Sequence, residues 1–580
     1  MRESAAGRGR GFVLAVALAA VLCGTVLSSR IAWTCDDAFI SFRYADNLVR
    51  GDGLVFNAGE RVEGYTNFLW TLGCAAGMAL GYRPERWSEA WGIVFYAASI
   101  LLLGWRFLRA ASTGPSPFPC LPLAAVLAAA HADWNVWATG GLETSLFTFL
   151  GVLGYVLLTS ACLAPSRSLF AGFALTLAAL TRPEGVLLVG IGGLFALWTG
   201  RPRARAAAAF ALPFAVLWGG FLAWRLAYYG DLFPNTYYAK SADLTWYVQG
   251  WAYARLYLAK YWVLLAGLPL VAWGTVSAMR GRAGRGPILG DRWFREVALA
   301  LALAGIFSWF VVRVGGDFMY ARMLVPPTPF LLILLELGLG IVPKRSVAAG
   351  TAVSLAVLLA MLFTPHPLSR RADEVAGIVN ERAQYPVERR EATERRGLEL
   401  SRFLDGLPVR MAFLGSEARL VFYARPWVAI ECETGLTDRF IARQELRERG
   451  RVGHEKRAPV DYLVAVRKAH VIFHARAPEL LGLEGRLPAE EIQMGGVGGW
   501  LLHWDPALMN ELRKRGARFV DFSDRIDGAI TELSRITDGE VATNYAMFKL
   551  FYFDGVSDPA RERPFLERLG RTQARRPRGL

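Results

Sequence analysis

From Gly11 onward the chain keeps returning to apolar runs long enough, or nearly so, to cross a hydrocarbon core, which takes roughly 17–25 residues. Backbone polar groups cannot go unpaired in lipid, so each run that enters a membrane must be helical. The candidate spans are 11–33, 88–108, 120–138, 143–162, 168–182, 185–200, 206–228, 261–279, 294–312, 323–342 and 346–364. We read a multi-pass α-helical membrane protein of about eleven spans, occupying residues 1–364. Composition agrees, since 54% of the residues are hydrophobic and only 20% charged, too apolar for a string of soluble domains. Disorder and collagen are excluded for the whole chain on the same grounds. Gly11–Leu27 follows an arginine-bearing start and resembles a signal peptide, but more spans follow it, so we read an uncleaved first span. Tyr65–Tyr82 is apolar but marginal and reads as an interfacial or re-entrant helix in a first outer loop covering residues 34–87.

The net charge of +15 would suit a nucleic-acid binder, but the positions of the basic residues explain part of it. Arg2, Arg8 and Arg10, Arg106 and Arg109, Arg167, Arg201, Arg203 and Arg205, Arg280, Arg282, Arg285, Arg292 and Arg295, and Lys344 and Arg345 fall in alternate loops. By the positive-inside rule those loops and the N-terminus are cytoplasmic. The implied partner is the lipid bilayer, with no nucleic acid. Asp36, Asp37, Asp46, Asp52, Glu60, Glu63, Glu143, Glu184, Asp231, Asp243 and Asp317 fall at the opposite ends. Carboxylates gathered at one face suggest a working surface there, because they are costly in hydrocarbon. The six cysteines, Cys23, Cys35, Cys74, Cys120, Cys162 and Cys432, have no metal-ligand spacing and read as small core hydrophobes.

An odd span count puts residues 365–580 outside the membrane. They read as an Arg/Glu-rich linker over 365–400 followed by an extracytoplasmic α/β domain. Val409–Leu414, Leu420–Tyr423, Trp427–Ile430 and Tyr462–Val466 are its strand-like runs.

The densest polar motif follows the first span: Trp33-Thr34-Cys35-Asp36-Asp37-Ala38-Phe39-Ile40-Ser41-Phe42-Arg43-Tyr44-Ala45. Phe42, Ala45 and Leu48 recur at helical spacing, so a helix runs to about Arg50 and stops at Gly51. Asp36 or Asp37 is then a helix cap or a general base, and spacing leaves both open. Neighbouring side chains diverge on a helix, so the pair is not built to flank one bond. Glu63, Tyr65, Thr66 and Asn67 form a polar-aromatic group that suits sugar, though Tyr65 and Trp70 equally suit interface anchoring. Thr139–Thr144 carries a possible capping box with Glu143. Arg182 and Glu184 at a break between spans read as a salt bridge or as a phosphate site. Tyr228–Lys240 is aromatic-rich with one cation, and Gly315–Met323 adds Asp317 and Arg322.

These residues resemble the GT-C class of membrane glycosyltransferases, and more closely the bacterial cell-wall terminal β-(1→2) arabinofuranosyltransferases. The likeness rests on Asp36-Asp37-Ala38-Phe39-Ile40, on Gly51 through Glu63, on Gly435-Leu436-Thr437-Asp438 and on Gly450 through Lys456. Gly64–Trp70 departs from that pattern, which leaves the sugar and the acceptor open. The resemblance implies a catalytic Asp37 or Asp36, a polyprenyl-phosphate donor carrying arabinofuranose (decaprenyl-phosphate arabinofuranose in that family), and a cell-envelope glycan acceptor. The candidate binding residues are Arg43, Glu63, Tyr65, Asn67, Glu143, Arg182, Glu184, Asn235, Tyr238, Lys240, Asp317, Arg322 and His454. No metal ligand is assigned, because the loops hold no dedicated cluster, and a divalent cation stays open. The rival reading is a lipid-linked sugar flippase, which would place acids at mid-span. Within the enzyme class the alternative is a hexose donor.

Overall fold

A computed structural model describes residues 2–111, 121–160, 163–279, 291–341, 347–370, 373–415, 417–446, 448–474, 477–480 and 491–575. Cys120, Cys162, Arg280, Arg282, Arg285, Lys344 and Arg345 lie outside the described residues, as do the side chains of Arg2 and Arg8. The chain packs as two units that interleave in sequence. The first holds Met1–Val49, Tyr65–Phe233 and Ala242–Pro386, and the second holds Arg50–Gly64, Pro234–Ser241 and Val387–Leu580. The boundary drawn at 364/365 therefore falls after Pro386, and two loop segments leave the first unit for the second.

In chain order the helices up to residue 230 are α1 (Arg2–Arg30), α2 (Ala38–Arg50), α3 (Phe68–Ala79), α4 (Pro84–Ala111), α5 (Leu123–Ala130), α6 (Ala132–Ala138), α7 (Thr144–Leu158), α8 (Pro165–Thr181), α9 (Gly185–Thr199), α10 (Arg203–Pro213) and α11 (Gly219–Tyr229). There follow α12 (Asn235–Ala239, in the second unit), α13 (Tyr247–Tyr261), α14 (Gly267–Met279), α15 (Asp291–Arg313), α16 (Thr328–Leu339) and α17 (Val347–Phe363). Among the described residues five helical stretches are long and apolar enough to cross a membrane: Arg10–Arg30, Pro84–Ala110, Arg203–Tyr229, Tyr247–Ser277 and Arg292–Arg313. Phe68–Ala79, Thr144–Leu158, Gly185–Thr199, Thr328–Leu339 and Ala348–Phe363 are shorter apolar helices. This first unit is the helical bundle of a multi-pass membrane protein.

Two expectations fail here for physical reasons. The run 120–138 is not one helix: His131 takes an extended backbone and its ring accepts the Trp134 amide, which starts α6 afresh. Arg106 is not a loop cation, because α4 continues past it and turns it inward. It is buried, with Nη2 2.9 Å from Glu296 and Nη1 2.5 Å from Glu336. Residues 365–386, read as linker, end the first unit in a hairpin of β1 (Glu374–Val375) and β2 (Ile378–Val379), then α18 (Glu381–Gln384). Val379 pairs with Met319, which ties this stretch to the loop ahead of α16.

The second unit opens with α19 (Val387–Leu404) and β3 (Arg410–Phe413), then α20 (Ala418–Ala424), β4 (Val428–Glu431), α21 (Arg439–Ala442), β5 (Val471–Ile472) and α22 (Ala477–Leu480). The hairpin β6 (Glu491–Met494) and β7 (Val497–Leu501) follows, and then α23 (Pro506–Lys514), α24 (Phe522–Glu532), α25 (Asp538–Phe548) and α26 (Pro559–Arg575). The sheet order is β4-β3-β5-β7-β6, with β3 parallel to both β4 and β5 and the remaining pairs antiparallel. Leu420–Tyr423 is helical, within α20, and Tyr462–Val466 is a π-helical turn; neither is a strand. Apolar runs of four or five residues are too short for a period to tell strand from helix.

Residues 50–64 belong to this unit because Asn57 lies along the edge of the sheet. Its Nδ2 donates to the Ala429 carbonyl at 2.9 Å and its Oδ1 accepts the Ala429 amide at 2.8 Å. One side-chain amide thus pairs β4 as a neighbouring strand would, covering part of an otherwise open edge.

Candidate functional site

The chain leaves α1 extended, and the Cys35 amide donates to the Gly140 carbonyl at 3.0 Å. Trp33 anchors the same stretch, its ring N–H on the Val136 carbonyl at 2.9 Å. Gly141 has φ +80°, and a Cβ there would come within 2.9 Å of Ala38, so only glycine lets the two segments approach. A turn over Asp36 and Asp37 then opens α2. The neighbours diverge: Asp36 is buried and Asp37 half-buried.

Arg322 is the centre of charge in this region. Its Nε lies 2.5 Å from Asp317 Oδ2. Burial works against its charge, but Asp317 first, then Asp37 and Glu143, outweigh this and hold the guanidinium above the ordinary arginine value. Burial and then the Asp37 charge push the Cys35 thiol up. Among the described residues the Asp37 carboxylate is engaged by no hydrogen bond or salt bridge, and it acts on Arg322 through its field alone.

Glu143 links this group to the next. Asn67 donates to it at 2.8 Å while accepting from Ser41 and Thr71, both at 3.0 Å. Arg182 Nη1 lies 3.4 Å from Glu143, and its Nε donates to Glu184 at 2.6 Å. The expected Arg182–Glu184 pair is present. The expected capping box is not, since Glu143 stands at the N-cap of α7 without a side-chain cap bond. Asn67, Glu143, Arg182 and Glu184 therefore form one bonded polar group and Asp317 with Arg322 a second, with Glu143 and Asp37 acting on Arg322 through charge alone. Arg43 is buried on α2, and Tyr65 packs on Tyr44 with its hydroxyl 3.2 Å from that of Tyr229.

The other candidates belong to the second unit. The Glu63 carbonyl accepts the Asn235 amide at 2.8 Å. Asn235 Nδ2 donates to the Gly435, Leu436 and Asp438 carbonyls, so it ties α12 to the loop after β4. Tyr238 lies under the Arg443 guanidinium at 4.2 Å. Lys240 is exposed and runs beside Gly453, next to His454, which closes a tight turn with Arg451. Asp438 pairs with Arg467, which in turn pairs with Glu60 at 2.9 Å.

Sequence reasoning missed several residues. Glu381, hidden in an Arg/Glu-rich stretch, is buried, and its charge reaches Cys35. Tyr253 and Trp137 brace the loop carrying Arg322, and nothing in their spacing announces this. Asp133 accepts from Tyr261 at 2.6 Å and faces His366 at 3.4 Å. Among the described residues no group of three or more His, Cys, Asp or Glu could hold a metal ion.

No family model matches the chain. It is 29% identical over 361 residues to a terminal β-(1→2)-arabinofuranosyltransferase of Corynebacterium glutamicum, covering 56% of this chain and 50% of that one. It is 30% identical over 362 residues to the Mycobacterium tuberculosis protein of the same name, covering 57% of this chain and 55% of that one. The crystal structure of ArnT from Cupriavidus metallidurans bound to undecaprenyl phosphate matches at 13% identity with a TM-score of 0.44, over 73% of this chain and 86% of that one. That likeness is too distant to establish a shared fold. The chain spans about half the length of the curated relatives it matches, and over that span it is similar to terminal β-(1→2)-arabinofuranosyltransferases.

Proposed function

We propose that this chain is an inverting glycosyltransferase of the GT-C class. It would move arabinofuranose from a polyprenyl-phosphate donor, decaprenyl phosphate by resemblance, to a cell-envelope glycan at the outer face of the bacterial cytoplasmic membrane. The observation that carries the reading is the Asp37 carboxylate, half-buried, clear of direct partners among the described residues and within the electrostatic reach of Arg322. The likeness to the two arabinofuranosyltransferases supports the donor class.

In the proposed step an acceptor hydroxyl attacks the anomeric carbon. The bond from that carbon to the phosphate oxygen breaks, and its electron pair leaves with the lipid phosphate. Asp37 takes the hydroxyl proton as the new bond forms, through a transition state with oxocarbenium character. The leaving phosphate is already a stable anion, so a strong acid is not required. Arg322 and Arg182, held in place by Asp317 and Glu184, would stabilise the charge that builds on it. His454 would hold glycan.

The test is transfer by the purified full chain from a panel of polyprenyl-phosphate sugars, with the product weighed by mass spectrometry. A pentose added to the glycan supports the proposal, and a hexose alone would move the donor assignment. Wild-type rates in folded Asp37→Asn and Asp36→Asn would overturn the catalytic assignment.

A further inference from the structure

We propose that Tyr253 is a positioning residue for Arg322, acting by closing the loop that presents it. Tyr253 stands on α13, and its hydroxyl is used twice. It donates to the Met319 carbonyl at 3.0 Å and accepts the Met323 amide at 3.1 Å. These two groups bracket Tyr320, Ala321 and Arg322, so one phenol oxygen fixes the ends of the segment between them. The loop needs such a brace. Gly315 and Gly316 have φ of +89° and +72°, and Ala321, which carries a Cβ, sits at +64°. A non-glycine residue in the left-handed region persists only where its surroundings hold it there. The ring is as closely fitted as the hydroxyl, since a Cβ on Gly316 would come within 2.5 Å of it.

Two further contacts complete the frame. Trp137 Nε1 donates to the Tyr320 carbonyl at 2.9 Å, and the Tyr320 amide donates to the Val379 carbonyl at 3.1 Å. Asp317 and Arg322, five residues apart, then meet at 2.5 Å across a loop whose backbone is set by its neighbours. A guanidinium that stabilises a leaving phosphate must be aimed before the reaction, and small displacements are costly. The inference rests on reading Arg322 as the partner of the carrier phosphate.

The test uses the full chain in detergent micelles, with Tyr253→Phe, Arg322→Gln and the double variant. Hydrogen exchange over the loop should speed up about tenfold or more in Tyr253→Phe, because the Met323 amide loses its acceptor. With a donor that the wild type turns over, kcat/KM should fall about tenfold in Tyr253→Phe, with little further loss on adding Arg322→Gln. Unchanged loop exchange, or losses that simply add, would overturn the inference. If Tyr253→Phe does not fold, Trp137→Phe, which frees the Tyr320 carbonyl, must give the same two signatures. A wild type that transfers no polyprenyl-phosphate sugar overturns the proposed function, while the exchange measurement still decides whether Tyr253 holds the loop.

Discussion

Two of the charge clusters that the first unit buries, among the described residues, are built differently. Around Arg106 every carboxylate is in an ion pair: Arg106 meets Glu296 and Glu336, Arg292 meets Glu296, and the Ala124 amide donates to Glu336 at 2.9 Å. Around Arg322, among the described residues, one carboxylate, Asp37, stands outside the ion pairs. Two guanidinium groups, Arg182 and Arg322, are set among four carboxylates, Asp37, Glu143, Glu184 and Asp317. Burial of charge alone therefore does not mark a working site. A matched set is a tie between helices. A surplus carboxylate with no cation of its own keeps lone pairs available to accept a proton, and Asp37 is that carboxylate.

The largest expected effect breaks the comparison at that point. Asp37→Asn keeps the shape and removes the proposed base, so transfer should fall about 10²–10⁴-fold. Thermal unfolding in detergent should barely move. A fall in stability of the same order as that of an Arg106 variant would make Asp37 another structural tie.

The fully paired cluster should answer in the opposite way. Arg106→Met leaves two buried glutamates facing one arginine and should cost about 3–5 kcal/mol, read as a lowered unfolding midpoint. Replacing Arg106 and Glu336 together by Met removes a pair and leaves Glu296 with Arg292. Most of the loss should return, because a well-packed apolar pair can match a buried ion pair. If the double variant is no better than Arg106→Met, the cluster is more than a tie.

What was legible in the sequence follows the same division. The multi-pass bundle was readable because hydrocarbon demands long uncharged runs, and α2 because its apolar period ends at Gly51. Arg182 with Glu184 was readable because the two lie close along the chain; Asp317 and Arg322 were legible as candidates, but their pairing was not. Arg106 was misplaced because its partners, Glu296 and Glu336, are brought to it only by packing. Tyr253 was invisible for the same reason. The β6–β7 hairpin was missed although Met494-Gly495-Gly496-Val497 carries a two-glycine turn with Gly495 at φ +61°. That Asn57 stands in for a strand shows only at the folded edge of β4.

The second unit shows a third way to bury an ionisable group, which is to neutralise it. Burial, and then the neighbouring His503, press the His470 pKa down to about 4 from 6.5. A depressed pKa means the folded state binds fewer protons than the unfolded chain. Stability is therefore full above about pH 6.5 and is lost as pH falls toward about 4, by about 3 kcal/mol at the limit. Hydrogen exchange at β3 and β5 should speed up across that window, and His470→Phe should flatten the dependence. A wild-type protein whose β3 and β5 exchange stays level from pH 6.5 to 4, after correction for intrinsic rates, would show that His470 is charged in the fold.

The smallest effect discriminates best between the two clusters, because it applies the same chemistry to both. Glu336→Gln removes a charge from a matched set and leaves Arg106 with one carboxylate, Glu296, which Arg292 also uses. That should cost about 1–3 kcal/mol. Glu143→Gln removes a charge from a set with acid to spare. The Gln carbonyl can still accept from Asn67, Arg182 keeps Glu184, and repulsion among the remaining carboxylates falls. Stability should stay within about 0.5 kcal/mol of wild type or rise. Activity should fall several-fold at most, because Glu143 pairs with Arg182 and acts on Arg322 through charge alone, without being the proposed proton acceptor. Equal losses of stability at the two positions would mean that the surplus around Arg322 is compensated, and that the contrast between the clusters is one of position rather than of charge.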